Sequence, residues 1–400
     1  MKNNDSITTF IYDVIRKKAN TDNDCDVLHL DPLHTQNQHT EQSECTQIYK
    51  EHILFDKVIA ETKATHVFLS YNNSGNMSKE FIESAMKRYG YEDSFQCIKI
   101  PNKNLEYLFY IKKKPANQII YECPLNYIGS KAKVIPHIQN NGIPSPVFVD
   151  LFGGGMNVGI NSASETIIYN DINFMVKNLI QSMVELDTYE YIVFVKEFIE
   201  NHNLEKGNNG TYIKARNYYN SLPEGQKDIR ILFALILYSF QQQIRFNSNY
   251  EFNNSAGVRW FNDCILAKLI SFSRAAKLKN IQFFSMDYIK LEDVFPFNRD
   301  SFIYFDPPYK LTRGSYNDGK RGFKGWNNDL EKELLGYLDN LSYRNINWML
   351  SYVIEHKGKK NDALEKWIKY NCYHCIPLGN VIGISGKPRK EVLITNYETC

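Results

Sequence analysis

Phe302-Ile-Tyr-Phe-Asp-Pro-Pro-Tyr309 is the stretch that says most about the fold and chemistry of this chain. Its four apolar residues predict a short buried strand. The two prolines end that strand, because they remove backbone donors and hold the turn extended. The Asp306 carboxylate and the Pro307 carbonyl can then accept the two N–H bonds of an amino group on a planar base, while Tyr309 offers a ring for stacking. A strand that ends in a Pro-Pro turn is also common without function, so this stretch alone leaves both interpretations open.

Pro146-Val-Phe-Val-Asp-Leu-Phe152, followed by Gly153-Gly154-Gly155, predicts a second buried strand and a glycine loop. Glycines after a strand let the backbone approach a cofactor closely. We expect helical residues from about Asn157 and then a strand at Thr166-Ile-Ile-Tyr-Asn-Asp171. Asp171 falls roughly 20 residues after the glycines, the spacing at which dinucleotide-binding folds bind a ribose. This order of elements indicates a nucleoside-bearing cofactor.

A resemblance to a known family becomes visible when the motifs are read in order. They are Tyr127-Ile-Gly-Ser-Lys131, Asp150-Leu-Phe-Gly-Gly-Gly155, Tyr169-Asn-Asp171 and Asp306-Pro307-Pro308-Tyr309. Together they resemble the α-group of adenine-N(6) DNA methyltransferases, which contains the Dam enzymes and many restriction-modification enzymes. Two further stretches are similar to the FokI-type modification enzymes: Phe246-Asn-Ser-Asn-Tyr-Glu-Phe-Asn253 and Glu391-Val-Leu-Ile-Thr-Asn-Tyr397. The resemblance covers about residues 121–397. The chain departs from the pattern at Tyr127, where the family often has Trp, and at Lys310, where Dam enzymes have an apolar residue.

The resemblance implies a reaction and a fold. The methyl donor would be S-adenosylmethionine, and the acceptor would be the 6-amino group of an adenine flipped out of a DNA recognition sequence. The fold would be a Rossmann-like α/β methyltransferase domain with an inserted, mostly helical DNA-recognition domain. The catalytic positions would be Asp306, Pro307, Pro308 and Tyr309. The cofactor-binding positions would be Tyr127, Lys131, Asp150, Phe152, Gly153, Gly155, Asp171, Asp287 and Asp306. Lys131 can also be interpreted as a solvated lysine.

Candidate DNA contacts lie in two segments. Arg245, Asn247 and Asn249 carry side chains that can make bidentate contacts to base edges. Arg313, Tyr316 and Asn317 form a second candidate just after the catalytic tetrapeptide, beside lysine and arginine residues at 320, 321 and 324 that could contact phosphates. The first segment can equally be a polar capping loop, and the second a solvated loop.

The chain divides by pattern into four parts. Residues 1–49 have the composition of a polar leader that could be disordered. Residues 50–115 resemble a partial methyltransferase-like repeat, 174–280 a target-recognition insertion, and 121–173 with 281–400 the catalytic domain. The repeat is indicated by Phe68-Leu-Ser-Tyr71 and Glu106-Tyr-Leu108, which echo Met349-Leu-Ser-Tyr352 and Glu391-Val-Leu393. An unrelated βα element is the alternative. Within the insertion we expect long helices at about 172–201 and 226–245.

Composition sets broad limits on partners and location. The net charge of +2 does not indicate a positive potential over the whole protein, although some of the 47 Lys and Arg residues could line a local cleft for double-stranded DNA. The eight cysteines are scattered, and Cys372 and Cys375 lack the second pair that a structural zinc needs, so no metal is expected. The longest apolar run, 229–240, is too short to span a membrane, and a polar N-terminus favours the cytoplasm. The resemblance further implies a restriction endonuclease acting on the same site. A non-catalytic DNA-binding relic, or an enzyme for another amino substrate, remains an alternative.

Overall fold

The computed structural model describes residues 27–31, 41–72, 75–100, 106–127, 131–311, 317–318, 326–382 and 388–398. Its helices are α1 (Glu41–Glu61), α2 (Lys79–Tyr89), α3 (Ile135–Asn141), α4 (Phe174–Glu185), α5 (Thr188–Asn201), α6 (Asn209–Ser221), α7 (Ile229–Tyr238), α8 (Asp263–Lys277), α9 (Leu291–Val294), α10 (Asn328–Tyr343) and α11 (Asp362–Tyr370). Its strands are β1 (Val27–Leu30), β2 (His66–Asn72), β3 (Gln96–Lys99), β4 (Glu106–Lys112), β5 (Val147–Asp150), β6 (Thr166–Asn170), β7 (Arg245–Phe246), β8 (Asn280–Phe284), β9 (Ser301–Phe305), β10 (Asn317–Asp318), β11 (Asn347–His356), β12 (Lys359–Lys360), β13 (His374–Ile382) and β14 (Pro388–Thr395).

These elements belong to two compact units. The first unit contains Met1–Pro124, Asp187–Lys196 and Phe261–Arg274. The second unit contains Leu125–Leu186, Glu197–Trp260 and Ala275–Cys400. Residues 174–280, which we expect to be an insertion, contribute to both units.

The first unit is built on a four-stranded sheet with strand order β1-β2-β4-β3. Strand β1 runs parallel to β2, whereas β4 is antiparallel to both of its neighbours. Strand β1 and the first nine residues of α1 lie before residue 50, so the described elements of this unit begin earlier than the expected boundary. Inside the unit, buried Asp56 accepts hydrogen bonds from Arg274 Nε at 2.8 Å and from the Tyr89 hydroxyl at 2.6 Å. This ion pair joins helix α8 to helices α1 and α2.

The second unit contains the larger sheet, whose strand order is β13-β14-β11-β9-β5-β6-β8, with β12 paired to β11. Strands β11, β9, β5, β6 and β8 run parallel, and β14 is antiparallel to its neighbours. The predicted mixed α/β fold with a parallel sheet is confirmed. Of the strands in this sheet, β5 comes first in the sequence, but it lies in the middle of the sheet, with β6 on one side and β9 on the other. Open α/β sheets bind ligands at the carboxyl ends of the strands beside such a reversal.

Several helices between residues 157 and 245 are shorter than the sequence pattern suggests. The helix expected at 172–201 is two helices, because α4 ends at Glu185 and the Asp187 carboxylate accepts from the Glu190 N–H at 3.0 Å to start α5. The helix expected at 226–245 stops at Tyr238, and the left-handed residues Gln241 and Gln242 follow it. A short 3₁₀ turn at Gly159–Asn161 stands where helical residues were expected from about Asn157. The ends of these helices are therefore set by local capping and backbone conformation and not by the apolar periodicity of the sequence.

Two negative findings apply to the described residues. Within those ranges, no helix combines the length and apolar character that a membrane crossing requires. The same residues contain no group of three or more His, Cys, Asp or Glu side chains placed to hold a metal ion.

Candidate active site

Polar groups from separate parts of the sequence meet where β5, β6 and β9 end. Every residue of β9 is buried, and Asp306 is the first residue after it. Asp150, the last residue of β5, lies opposite Tyr304 of β9. The glycine loop and the Asp306–Tyr309 tetrapeptide therefore leave adjacent strands at the same edge of the sheet.

The Asp306 carboxylate is held on both of its oxygens. Oδ2 accepts a hydrogen bond from Lys131 Nζ at 2.6 Å, and Oδ1 accepts one from the Tyr309 hydroxyl at 2.8 Å. Only 4% of the Lys131 side chain and 17% of the Asp306 side chain are exposed. Ionised partners at this distance form strong hydrogen bonds. Lys131, which the resemblance assigns to the cofactor, is thus in direct contact with the Asp306 carboxylate and is not a solvated lysine.

The ring of Tyr309 is covered in this structure. The residue is 7% exposed, and its ring centroid lies 5.3 Å from Lys131 Nζ and 5.7 Å from Arg389 Cζ, within cation–π range. The Tyr352 ring packs against it edge-on with centroids 5.3 Å apart. Burial, with the nearby Asp306 charge, raises the pKa of the Tyr309 hydroxyl well above its ordinary value, so this group acts as a proton-bearing donor.

The glycine loop is shaped by two tyrosine rings. A Cβ on Gly153 would come within 2.3 Å of the Tyr169 ring, and one on Gly154 within 2.8 Å of the Tyr127 ring. Gly154 also has a left-handed φ of 47°, which glycine adopts at little cost. The Tyr169 hydroxyl donates to the Gly154 carbonyl at 2.7 Å. Gly155 is buried beside them. Gly153 and Gly154 are therefore required by close protein packing, in addition to any cofactor.

Two buried carboxylates tie this loop to the strand ends. Asp171 Oδ2 accepts from the Gly154 N–H at 2.9 Å, and its Oδ1 accepts from the Asn173 N–H at 2.8 Å. Asp150 Oδ2 accepts from the Gly159 N–H at 2.9 Å. Burial raises the pKa of the Asp150 carboxyl to about 8. Both residues organise the loop backbone in this structure.

The other expected site residues differ in exposure. Phe152 packs into the core, with its ring centroid 5.1 Å from that of Tyr288. Asp287, which follows β8, is exposed, and its Oδ1 accepts from the Ile289 N–H at 3.0 Å. Pro307 is buried and Pro308 is half-buried. Asp287 is therefore open to a ligand, whereas Phe152 has an evident packing role.

The sequence profile of the D12 class of N6 adenine-specific DNA methyltransferases matches residues 127–378. That span exceeds half of the chain and contains all four motifs. The chain belongs to this family.

Three characterised proteins are similar to most of the chain. Type II methyltransferase M.FokI of Planomicrobium okeanokoites is 34% identical over 379 residues, which is 86% of this chain and 58% of that protein. Modification methylase StsI of Streptococcus sanguinis is 34% identical over 86% of this chain and 57% of its own length. Modification methylase LlaI of Lactococcus lactis subsp. lactis is 34% identical over 88% and 57%, respectively. The chain therefore spans less than two thirds of the length of these relatives.

The two candidate DNA segments of this D12-class chain are hydrogen-bonded to each other. Strands β7 and β10 pair in parallel, with Asn317 opposite Arg245. Arg245 is exposed, whereas the Asn247 Oδ1 accepts from the N–H groups of Asn249 and Glu251, each at 2.9 Å. Asn247 thus shapes its own loop, whereas Arg245 and Asn249 are exposed. The expected contacts at 313, 316, 320, 321 and 324 lie outside the described residues.

The aromatic residues of the first DNA segment have different roles. Phe246 and Phe252 are buried against each other, with ring centroids 5.7 Å apart, whereas Tyr250 is 45% exposed with a left-handed φ of 64°. Buried Asn254 donates to Ser239 Oγ at 2.8 Å and to two backbone carbonyls at 2.9 Å. The segment is therefore a packed loop that still presents exposed side chains, so the two sequence interpretations are compatible.

A buried network behind Tyr309 was missed by sequence reasoning. Glu331, 3% exposed, accepts from Lys310 Nζ at 3.1 Å, from the Tyr352 hydroxyl at 2.7 Å and from Asn361 Nδ2 at 3.0 Å. This pairing accounts for the unusual Lys310. The sequence spacing could have revealed this network. Glu331 lies three residues before Leu334, which places a charged side chain on the apolar face of α10.

Proposed function

We propose that this chain transfers a methyl group from S-adenosylmethionine to the 6-amino group of adenine in a recognition sequence of double-stranded DNA. One observation carries the proposal most strongly. The carboxylate-bearing tetrapeptide and the glycine loop leave adjacent parallel strands at the point where the strand order reverses. An amino-group acceptor site and a nucleoside site would then lie side by side, as methyl transfer requires. Membership of the D12 class supports the same reaction.

Asp306 would bind one N–H bond of the adenine amino group, and the Pro307 carbonyl would bind the other. Two acceptors favour a pyramidal nitrogen whose lone pair points away from them. Lys131 and the Tyr309 hydroxyl hold the Asp306 carboxylate in place. The base can stack on Tyr309 only after one of the cations over its ring, Lys131 or Arg389, moves aside. The amino proton leaves after attack, because alkylation makes the nitrogen more acidic.

The residues around the glycine loop fit a nucleoside-bearing methyl donor. When bound, S-adenosylmethionine would supply the methyl group on a sulfonium. Asp171 accepts from the Gly154 N–H of the loop and from the Asn173 N–H, and its carboxylate would also accept from a ribose hydroxyl. Exposed Asp287 would contact the adenine ring of the donor. Tyr127 and Lys131 would lie near its methionine end.

The finer architecture is also part of the proposal. The catalytic domain would be a Rossmann-like methyltransferase fold made of residues 121–173 and 281–400, and residues 174–280 would read DNA. Arg245, Asn249 and the strand pair β7–β10 support the position of that DNA surface. Since relatives are named modification methylases, a restriction endonuclease would recognise the same site. The reaction would take place in the cytoplasm, where its DNA is found.

Methylome sequencing of DNA from cells that express the chain tests the proposal. The host must lack adenine methylation of its own. We expect N6-methyladenine at one short sequence motif with the wild type and none with Asp306→Ala. A folded wild-type chain that binds S-adenosylmethionine but leaves every adenine unmodified would contradict DNA as the substrate.

A further inference from the structure

The first unit has the same element order as the catalytic half of the second unit. Strand β1, helix α1, strand β2, helix α2 and strands β3 and β4 follow one another in the first. Strand β9, helix α10, strand β11, helix α11 and strands β13 and β14 follow in the second, with only the small β10 and β12 in addition. The spatial orders also agree: β1-β2-β4-β3 in one sheet and β9-β11-β14-β13 in the other. The parallel and antiparallel pairings match strand by strand.

The agreement extends to the register of individual residues. Ser70 of β2 lies opposite Leu108 of β4, which in turn lies opposite Ile98 of β3. In the second unit the same row consists of Ser351, Leu393 and Ile376. A shift of one residue would turn every side chain to the other face, so a match across three strands is specific. The two Leu-Ser-Tyr stretches are therefore equivalent in structure as well as in sequence.

Strand β1 occupies the position of the catalytic strand. His29 lies opposite Phe68, and Tyr304 lies opposite Met349. Each side chain contacts the serine that lies two residues after its partner on the neighbouring strand. His29 Nε2 is 2.9 Å from Ser70 Oγ, and the Tyr304 hydroxyl is 2.6 Å from Ser351 Oγ.

Asp31 follows His29 by two residues, as Asp306 follows Tyr304. In sequence, Asp31-Pro32-Leu33-His34 therefore stands where Asp306-Pro-Pro-Tyr309 stands.

We propose that residues 27–112 are a second, catalytically silent copy of the catalytic half of the methyltransferase sheet. Asp31-Pro32-Leu33-His34 keeps the carboxylate and the first proline, but leucine replaces the second proline and histidine replaces the tyrosine. The Pro-Pro lock on the turn and the tyrosine hydroxyl that holds the carboxylate are both lost. The inference deepens the proposed function and rests on it where it concerns catalysis.

The surroundings of Asp31 explain why the copy would have no catalytic activity. Asp31 is exposed, whereas Asp306 is held by Lys131 and Tyr309. Strand β9 lies between β5 and β11, but among the described residues β1 pairs with β2 alone. The copy keeps the carboxylate at Asp31 but lacks the second proline and the tyrosine of Asp306-Pro-Pro-Tyr309. Its buried Asp56–Arg274 pair gives it a different task, the support of helix α8.

Methylation assays test whether the copy lacks catalytic activity. The four proteins compared are the wild type, Asp31→Ala, Asp306→Ala and the double variant. We expect Asp31→Ala to keep activity within about twofold and its melting temperature unchanged, as for most exposed positions. Asp306→Ala and the double variant should show no methylation. The proposal is overturned if Asp306→Ala retains methylation that the double variant loses. It is also overturned if Asp31→Ala loses about tenfold or more of the activity at an unchanged melting temperature.

Melting temperatures test the structural equivalence without any activity. His29→Tyr inserts the residue found at the matching position of β9, so the bond to Ser70 should survive and the melting temperature should stay near that of the wild type. His29→Phe, the matched control, removes the partner of Ser70 and should melt lower. If His29→Tyr is the more damaging change, the proposed register match is wrong. A wild type that methylates no DNA would refute the proposed function while leaving this result intact.

Discussion

Replacing Asp306 by alanine should abolish methyl transfer and also weaken the fold around the site. The carboxylate is one of the two proposed acceptors for the adenine amino group. It is also the partner of Lys131, whose side chain is only 4% exposed. Asp306→Ala leaves that buried ammonium without its counter-charge and removes the acceptor of the Tyr309 hydroxyl.

The size of both effects follows from these contacts. Breaking a buried ion pair by removing one partner costs about 3–5 kcal/mol of stability. Because Asp306 is 17% exposed, we expect the lower end of that range. Methyl transfer should fall by at least about 10²–10³-fold, the usual loss when one preorganised electrostatic contact to the transition state is removed.

The assay combines transfer of labelled methyl groups to DNA with thermal melting and calorimetry of S-adenosylmethionine. Lys131→Met/Asp306→Ala serves as the control, since it removes both charges and should recover part of the lost stability but none of the activity. Near wild-type methylation by Asp306→Ala would refute the catalytic assignment. If the double variant melts no higher than Asp306→Ala, the ion pair does not stabilise the site.

Four further predictions use other parts of the molecule. Asp171→Ala should weaken S-adenosylmethionine binding by about tenfold or more, roughly 1.4 kcal/mol, and unchanged affinity by calorimetry would reject the role. Asp150 has a pKa raised from 3.8 to about 8, so the folded state keeps a proton that the unfolded state loses, and stability should fall as pH rises through this window; the melting temperature of Asp150→Asn should fall less between pH 5 and 8 than that of the wild type, and an equal pH dependence of the two melting temperatures would contradict this. Arg245→Ala should weaken DNA binding and reduce its salt dependence in titrations at several salt concentrations, and an unchanged affinity would exclude the contact. Arg274→Met should lower stability by about 3–5 kcal/mol in denaturant unfolding, because it removes the counter-charge of the buried Asp56 carboxylate, and a change below about 1 kcal/mol would indicate that the pair is dispensable.

The amino-acid sequence was sufficient for the family and the main chemical motifs. Local signals fix these features: an apolar run predicts a buried strand, a Pro-Pro pair ends it, and glycines after a strand mark a loop. The family profile confirmed membership of the D12 class. Strands β5, β6 and β9 fall where the apolar runs predicted them. Helix ends were predicted less well, because caps such as Asp187 and the left-handed Gln241 are decided by individual side chains.

Only the tertiary structure decided which groups act on Asp306. Lys131 lies 175 positions away along the chain, and its contact depends on how the strands are ordered in the sheet. The same is true of the buried Glu331 network and of the pairing of β7 with β10. The equivalence of Asp31 and Asp306 also required the register of four strands, since the tetrapeptide after Leu30 has lost half of its motif. Local patterns specify elements because they depend on neighbouring residues, whereas partners across a sheet are set by long-range pairing that a single sequence does not display.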